Sequence, residues 1–141
     1  MYKTENLTVN SGNLAVGGVV TFDLPIKSRW CKIVSVKIVQ LTAGAMGVLL
    51  EVWESTAAQL VGGAARANLY QQPYARKIAV TVAQGSQYGE SLAGNPMPYY
   101  DRDAKDELNT YMIHCRLEND LAGTASDFAV SITVADVGEN A

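Results

Sequence analysis

From about Thr8 to Val137, apolar and polar residues alternate in short stretches broken by Gly, Pro and Asn. The alternation is clearest near the C-terminus, where Tyr111, Ile113, Cys115 and Leu117 interleave with Met112, His114, Arg116 and Glu118. After a turn over Asp120 to Ser126 it resumes through Phe128, Val130, Ile132 and Val134. Side chains of a strand point to opposite faces with period two, so each run presents one apolar face. The two runs either pair as a hairpin or pack across a sandwich.

Earlier in the chain, Val19 to Leu24 predicts a strand with Val20, Phe22 and Leu24 on one face, ended by Pro25. Cys31 to Leu41 follows, with Val34, Val36 and Ile38 sharing a face and Ser35, Lys37 and Val39 on the other. Val48 to Glu54 turns Val48, Leu50 and Val52 inward and Leu49, Glu51 and Trp53 outward, and these two β-branched strands are expected side by side at the centre of a sheet. Thr8 to Leu14 is a first strand or, taken as residues 1–13, an N-terminal arm. Ser55 to Ala67 reads as a loop with at most one short helix, because Gly62 and Gly63 each cost roughly 1 kcal/mol in a helix. Leu69 to Gln71 and Ile78 to Val82 are further strands, Gly85 to Pro98 is a long irregular stretch, and Gly138 to Ala141 is a short tail. About eight antiparallel strands with loops of mixed length predict an all-β fold, a single-domain antiparallel β-sandwich of jelly-roll type spanning residues 1–141. An immunoglobulin-like sandwich is the other reading, but Trp53 lies between Cys31 and Cys115 without the spacing which that fold uses.

A chain of 141 residues can bury a core without disulfides or metal. Its charged fraction of 18% is well below the usual quarter, which suggests surface that faces protein rather than water. A net charge of −3 is opposite to the basic footprint of a nucleic-acid binder, so no nucleic-acid partner is expected. No apolar run approaches a membrane span and the first ten residues are polar, so neither a membrane role nor export by a signal peptide is expected. Cys31 and Cys115 then read as buried thiols rather than a bridge, and the sequon Asn6-Leu7-Thr8 carries no weight.

Candidate chemistry is sparse. Gly89-Glu90-Ser91-Leu92-Ala93 approximates a nucleophile elbow, but its last position is Ala, and the stretch runs into Gly94-Asn95-Pro96 rather than a helix. The single histidine, His114, allows no two-histidine metal site, and its strand position predicts a satisfied, partly exposed side chain. Asp101 to Glu107 opens like a calcium loop, then places Lys105 at a ligand position, Asp106 at the turn glycine and Met112 where the bidentate Glu belongs. No catalytic residue, cofactor or metal is therefore expected. Lys27, Arg29, Trp30 and Lys32 form a small basic cluster around an aromatic, read as a polar turn or a protein contact. Tyr70, Tyr74, Tyr88, Tyr99 and Tyr100 fall in the loop-rich middle, where tyrosine suits an interface or a sugar platform as well as ordinary packing. With Trp30 they are the candidate partner-interface residues, and the partner surface is expected where period two lapses, at Ser55 to Tyr74 and Gly85 to Tyr100.

The strand Val19-Val20-Thr21-Phe22-Asp23-Leu24-Pro25, the ending Glu51-Val52-Trp53-Glu54, the lead-in Pro98-Tyr99-Tyr100-Asp101-Arg102-Asp103 and the closing Phe128 to Val134 together resemble the small β-sandwich virion proteins of tailed bacteriophages, especially those that decorate or cement the capsid. That resemblance implies a non-enzymatic virion protein, made in the host cytoplasm and oligomeric, often a trimer, seated on the major capsid protein. It would stabilise the head by binding across capsomer junctions. A neck or tail structural protein and a carbohydrate-binding β-sandwich module are the alternatives.

Overall fold

The computed structural model of the chain describes residues 3–41, 46–61, 74–80, 87–104, 110–119 and 125–136. They form nine strands and one helical segment: β1 (Lys3–Leu14), β2 (Val19–Ile26), β3 (Trp30–Gln40), β4 (Met46–Trp53), α1 (Thr56–Val61), β5 (Tyr74–Val80), β6 (Gln87–Ser91), β7 (Met97–Tyr100), β8 (Tyr111–Asn119) and β9 (Ser126–Asp136). Leu69 to Gln71, Tyr70 and the tail Gly138 to Ala141 lie outside the described residues.

Two antiparallel sheets result, one ordered β1-β9-β3-β6 with β7 also on β3, the other β2-β8-β4-β5. β6 and β7 follow each other along one edge of β3, so the nine strands fill the eight positions of a jelly roll. The pairing is that of one long rolled hairpin: β1 on β9, β2 on β8, β3 on β6 and β7, β4 on β5. Rolling then brings β9 against β3 in one sheet and β8 against β4 in the other. The two C-terminal runs thus pack across the sandwich rather than as a hairpin. Likewise β3 and β4 are inner strands of different sheets, not neighbours in one.

The core lies between the sheets and is made by the inward row of each strand: Leu7; Leu24 and Ile26; Cys31, Ile33, Val36 and Ile38; Val48, Leu50 and Val52; Ile113, Cys115 and Leu117; Phe128, Val130, Ile132 and Val134. Along β3 the simple alternation fails, because a register shift between Ile33 and Ser35 against β9 inserts an extra residue. A bulge of this kind changes the phase of the face. Cys31 and Ile33 are inward before it, Val36 and Ile38 after it, and Val34 is only half-buried. β2 continues through Pro25 to Ile26 instead of ending there. It pairs only with β8 among the described residues, and an edge strand tolerates a missing N–H. The stretch 87–100 is not irregular: β6 and β7 pair with Ser35–Val39 and Trp30–Ile33, joined by the short turn Leu92 to Pro96. Its polar, Gly- and Pro-containing sequence conceals two strands because each is short and held from one side.

The crossing from the first sheet to the second is made in four residues. Gly18 N–H donates to Ala15 O at 2.8 Å across a turn whose third residue, Gly17, has a φ of 78°. Buried Asn119 at the end of β8 secures it, its N–H donating to Gly18 O, its side-chain amide donating from Nδ2 to Leu14 O, and its backbone carbonyl accepting from the Gly17 N–H at 2.7 Å.

Candidate functional site

The two outward faces of the sandwich differ. On the β2-β8-β4-β5 sheet the register sets Asp23, His114 and Trp53 in one cross-strand row and Thr21, Arg116 and Glu51 in the next. This face is covered by α1 and by the turn Asp101 to Ala104. α1 starts where Asp103 accepts from the Thr56 N–H, and ends where Arg116 donates to Leu60 O at 2.9 Å and Gln59 O at 3.3 Å. Gln59 reaches down from the helix, donating from Nε2 to Phe22 O, Asp23 Oδ1 and Cys115 O at 2.8 to 3.1 Å. Both faces of β4 are therefore interior: Glu51 and Trp53 are as buried as Val52, although the sequence pattern places them outward.

His114 is buried at 3% exposure rather than partly exposed, and both ring nitrogens meet carboxylates. Nδ1 lies 3.1 Å from Asp23 Oδ1 and Nε2 lies 2.9 Å from Asp101 Oδ1. Two acceptor oxygens require two N–H donors, which is the charged imidazolium. Burial opposes that charge, but the hydrogen bonds and negative charges of Asp101 and Asp23 outweigh it and raise the imidazole above its ordinary value. Asp101 is held below the usual carboxylate range: burial acts against ionisation, and His114, the Met112 N–H (2.8 Å) and the Asp103 N–H (3.0 Å) overcome it. With both nitrogens engaged, this imidazole has no free lone pair with which to activate a nucleophile. Of the carboxylates in the calcium-like turn, the described Asp101 and Asp103 diverge, Asp101 inward to His114 and Asp103 to the α1 N-terminus, while Lys105, Asp106 and Glu107 lie outside the described residues. The arrangement is a clamp that fastens α1 and the turn to the sheet.

Tyr99 belongs to the same construction. It is 1% exposed, so it is a core residue and presents nothing to a partner. Its hydroxyl donates toward Trp53 O and Met112 O, both at 2.9 Å, and accepts the His114 N–H at 3.2 Å, tying β7 of one sheet to β4 and β8 of the other. Burial, partly offset by that N–H, pushes its phenol far up from its ordinary value. Cys31 and Cys115 are buried thiols not joined in a disulfide, and burial raises the Cys115 thiol strongly.

The face of the β1-β9-β3-β6 sheet is built differently. Its outward rows read Thr8, Ser131, Lys37, Gly89 and Asn6, Thr133, Ser35, Ser91 across β1, β9, β3 and β6. Thr8 and Ser131 hydroxyls meet at 3.0 Å, and Thr133 donates to Asn6 Oδ1 at 3.3 Å. At one end β3 and β7 set Trp30 directly opposite Tyr100. The rings are 4.5 Å apart at 58°, and Trp30 remains 54% exposed. Arg29 donates to the Tyr100 hydroxyl at 3.0 Å and to Ala104 O at 3.1 Å, with its guanidinium 5.5 Å from the Tyr100 ring centre. Arg102 stands 5.6 Å from the same ring and pairs with Glu54 at 3.1 Å. Of the residues expected at an interface, the structure thus joins Trp30 and Tyr100 in one surface patch and sends Tyr99 inside. The backbones of Tyr74 and Tyr88 lie in β5 opposite Val52 and in β6 opposite Ile38. Arg29 was visible in the sequence as part of a basic cluster and Arg102 lies two residues after Tyr100, but only the β3-β7 pairing brings Arg29 and Trp30 to that same ring.

No protein-family model matches the sequence, and no curated protein is similar to it. A chain in the structure of infectious bursal disease virus Gx strain is similar over 98% of this chain and 33% of its own length, at 15% identity and a TM-score of 0.31. A chain in the structure of the Gt strain is similar over 99% of this chain and 42% of its own length, at 7% identity and a TM-score of 0.22. This chain spans less than half the length of either, and likenesses of this size bear on neither fold nor function.

Proposed function

We propose that the protein is a non-enzymatic structural component of a virion, a capsid decoration or cement protein that binds across capsomer junctions as an oligomer, with a trimer favoured. The observation that carries this reading is the exposed Trp30 seated on Tyr100 at the end of an open, small-side-chain sheet face, on a scaffold whose buried charges are used in holding it together. Exposed Trp, Tyr and Arg in one patch is the composition of protein-binding hot spots. Jelly rolls serve in capsids and in lectins alike, so the choice between the two rests on the surface patch. The tilt between the two rings gives no flat platform for a sugar, which favours a protein partner over a glycan. Binding only assembled shells would stabilise them by mass action.

The test is addition of purified protein to particles assembled without it. Saturable co-sedimentation and a raised rupture temperature are expected; wild-type protein that stays in the supernatant sinks the reading. Copies per particle separate a head site, with many, from a neck or tail site, with few.

A further inference from the structure

We propose that the outward face of the β1-β9-β3-β6 sheet, entered at Trp30 and Tyr100, docks an acidic surface of its protein partner, an inference that rests on the structural-protein reading above. The argument is one of charge placement. The chain is net negative, but Asp23, Glu51, Asp101 and Asp103 lie around α1, matched to His114, Arg116 and backbone N–H groups, Glu54 pairs with Arg102, and Glu5, Glu90 and Asp136 of β1, β6 and β9 stand in the inward register, opposite Val134, Val36 and Lys3. On the β3 face the charges are Lys32 and Lys37, which among the described residues have no ion-pair partner, with Arg29 and Arg102 beside Tyr100. Strand alternation gives this face one described carboxylate, Asp127, at the end away from Trp30. The bulge after Ile33 is what keeps Lys32 and Lys37 on the same side of β3 although they are an odd number of residues apart.

The rest of the face suits a flat partner. Thr4, Asn6, Thr8, Ser91 and Gly89 are exposed, short and uncharged, so ordering them on contact loses little side-chain entropy. A Cβ at Gly89 would meet nothing within 4 Å, so that row is open to an approaching surface. Lysines among hydroxyls would steer and register carboxylates, while Trp30 supplies the desolvated anchor. Nucleic acid fits less well, since the cations are few and two of them already bond Glu54, Ala104 O and Tyr100.

Fluorescence anisotropy of a labelled alternating glutamate–alanine peptide, a matched lysine–alanine peptide and an oligo-dT strand, each titrated with the full chain, tests this. The acidic peptide is expected to bind, more weakly as salt is added, and to lose about tenfold or more in affinity in Trp30→Ala and in Lys37→Glu, both exposed positions whose melting curves check the fold. No binding of the acidic peptide, equal binding by the variants, or tighter binding of oligo-dT would overturn the proposal. Particles separate it from the broader reading: if wild-type and both variants decorate particles equally, this surface is wrong and the virion role stands. If the acidic peptide binds but no particle does, the surface stands and the virion role falls.

Discussion

At the scale of single residues, the chemistry of this protein is that of a clamp, and its signs are fixed by which protons the folded state holds. His114 has a raised value, so its contribution to stability is complete below about pH 6.5, the ordinary imidazole value, and is lost as pH rises through the higher folded value. Asp101 has a lowered value, so its contribution is complete above about pH 3.9 and is lost as pH falls through the folded value. Urea midpoints should therefore be highest in the mildly acidic range between these limits. His114→Gln should cost about 3 kcal/mol there and abolish the decline on the alkaline side; an unchanged slope in that variant would remove His114 as its cause. Tyr99→Phe should cost about 1 to 3 kcal/mol, since it strands buried backbone groups of Trp53, Met112 and His114. None of this was legible in the sequence beyond His114 being satisfied. Asp23 and Asp101 lie 91 and 13 positions from it, and only the β2-β8 register and the turn after β7 bring them to its two nitrogens.

At the scale of elements, period two located β2, β3, β4, β8 and β9 because each has a half-buried, β-branched inner row. It failed where a second layer or a shift of phase intervened. Glu51 and Trp53 alternate like solvent-facing residues but lie under α1, and Val34 lost its place in the core to the β3 bulge. β6 and β7 were unreadable because strands of five and four residues leave too few periods to register. The β1-β2 crossing makes a sharper forecast. A Cβ at Gly18 would stand 2.8 Å from the Ala15 carbonyl oxygen, and Gly17 sits in the left-handed region. Gly18→Ala should lower stability by about 1 to 3 kcal/mol and Gly17→Ala by about 1 to 2 kcal/mol, whereas Gly89→Ala should stay within about 0.5 kcal/mol of wild type. Thermal melts of the three variants check this, and a Gly18→Ala protein as stable as the Gly89→Ala one would contradict the described turn.

At the scale of the whole molecule, the sandwich was legible from strand number and alternation, while the wrapping order was not, since no local signal says that β1 pairs with β9 or that β3 and β4 part to different sheets. The proposed oligomer belongs to this scale too: mass measurement in solution should give a trimer, and a monomer would count against the cement reading. The rolled hairpin also dictates when the protein can exist. Its first ladder joins Lys3 to Asp136, nearly the full length of the chain, so contact order is high and refolding should fall in the millisecond-to-second range of all-β domains. On a ribosome adding roughly 5 to 20 residues each second, β1 and β3 must wait several seconds for the strand that lies between them. A nascent or prematurely stopped chain lacking β9 would lose not a rim but the middle of the sheet, and protease resistance should vanish with that deletion. The outward face of the β1-β9-β3-β6 sheet is thus completed only once β9 has been made, because its middle strand is the last of the described strands in chain order.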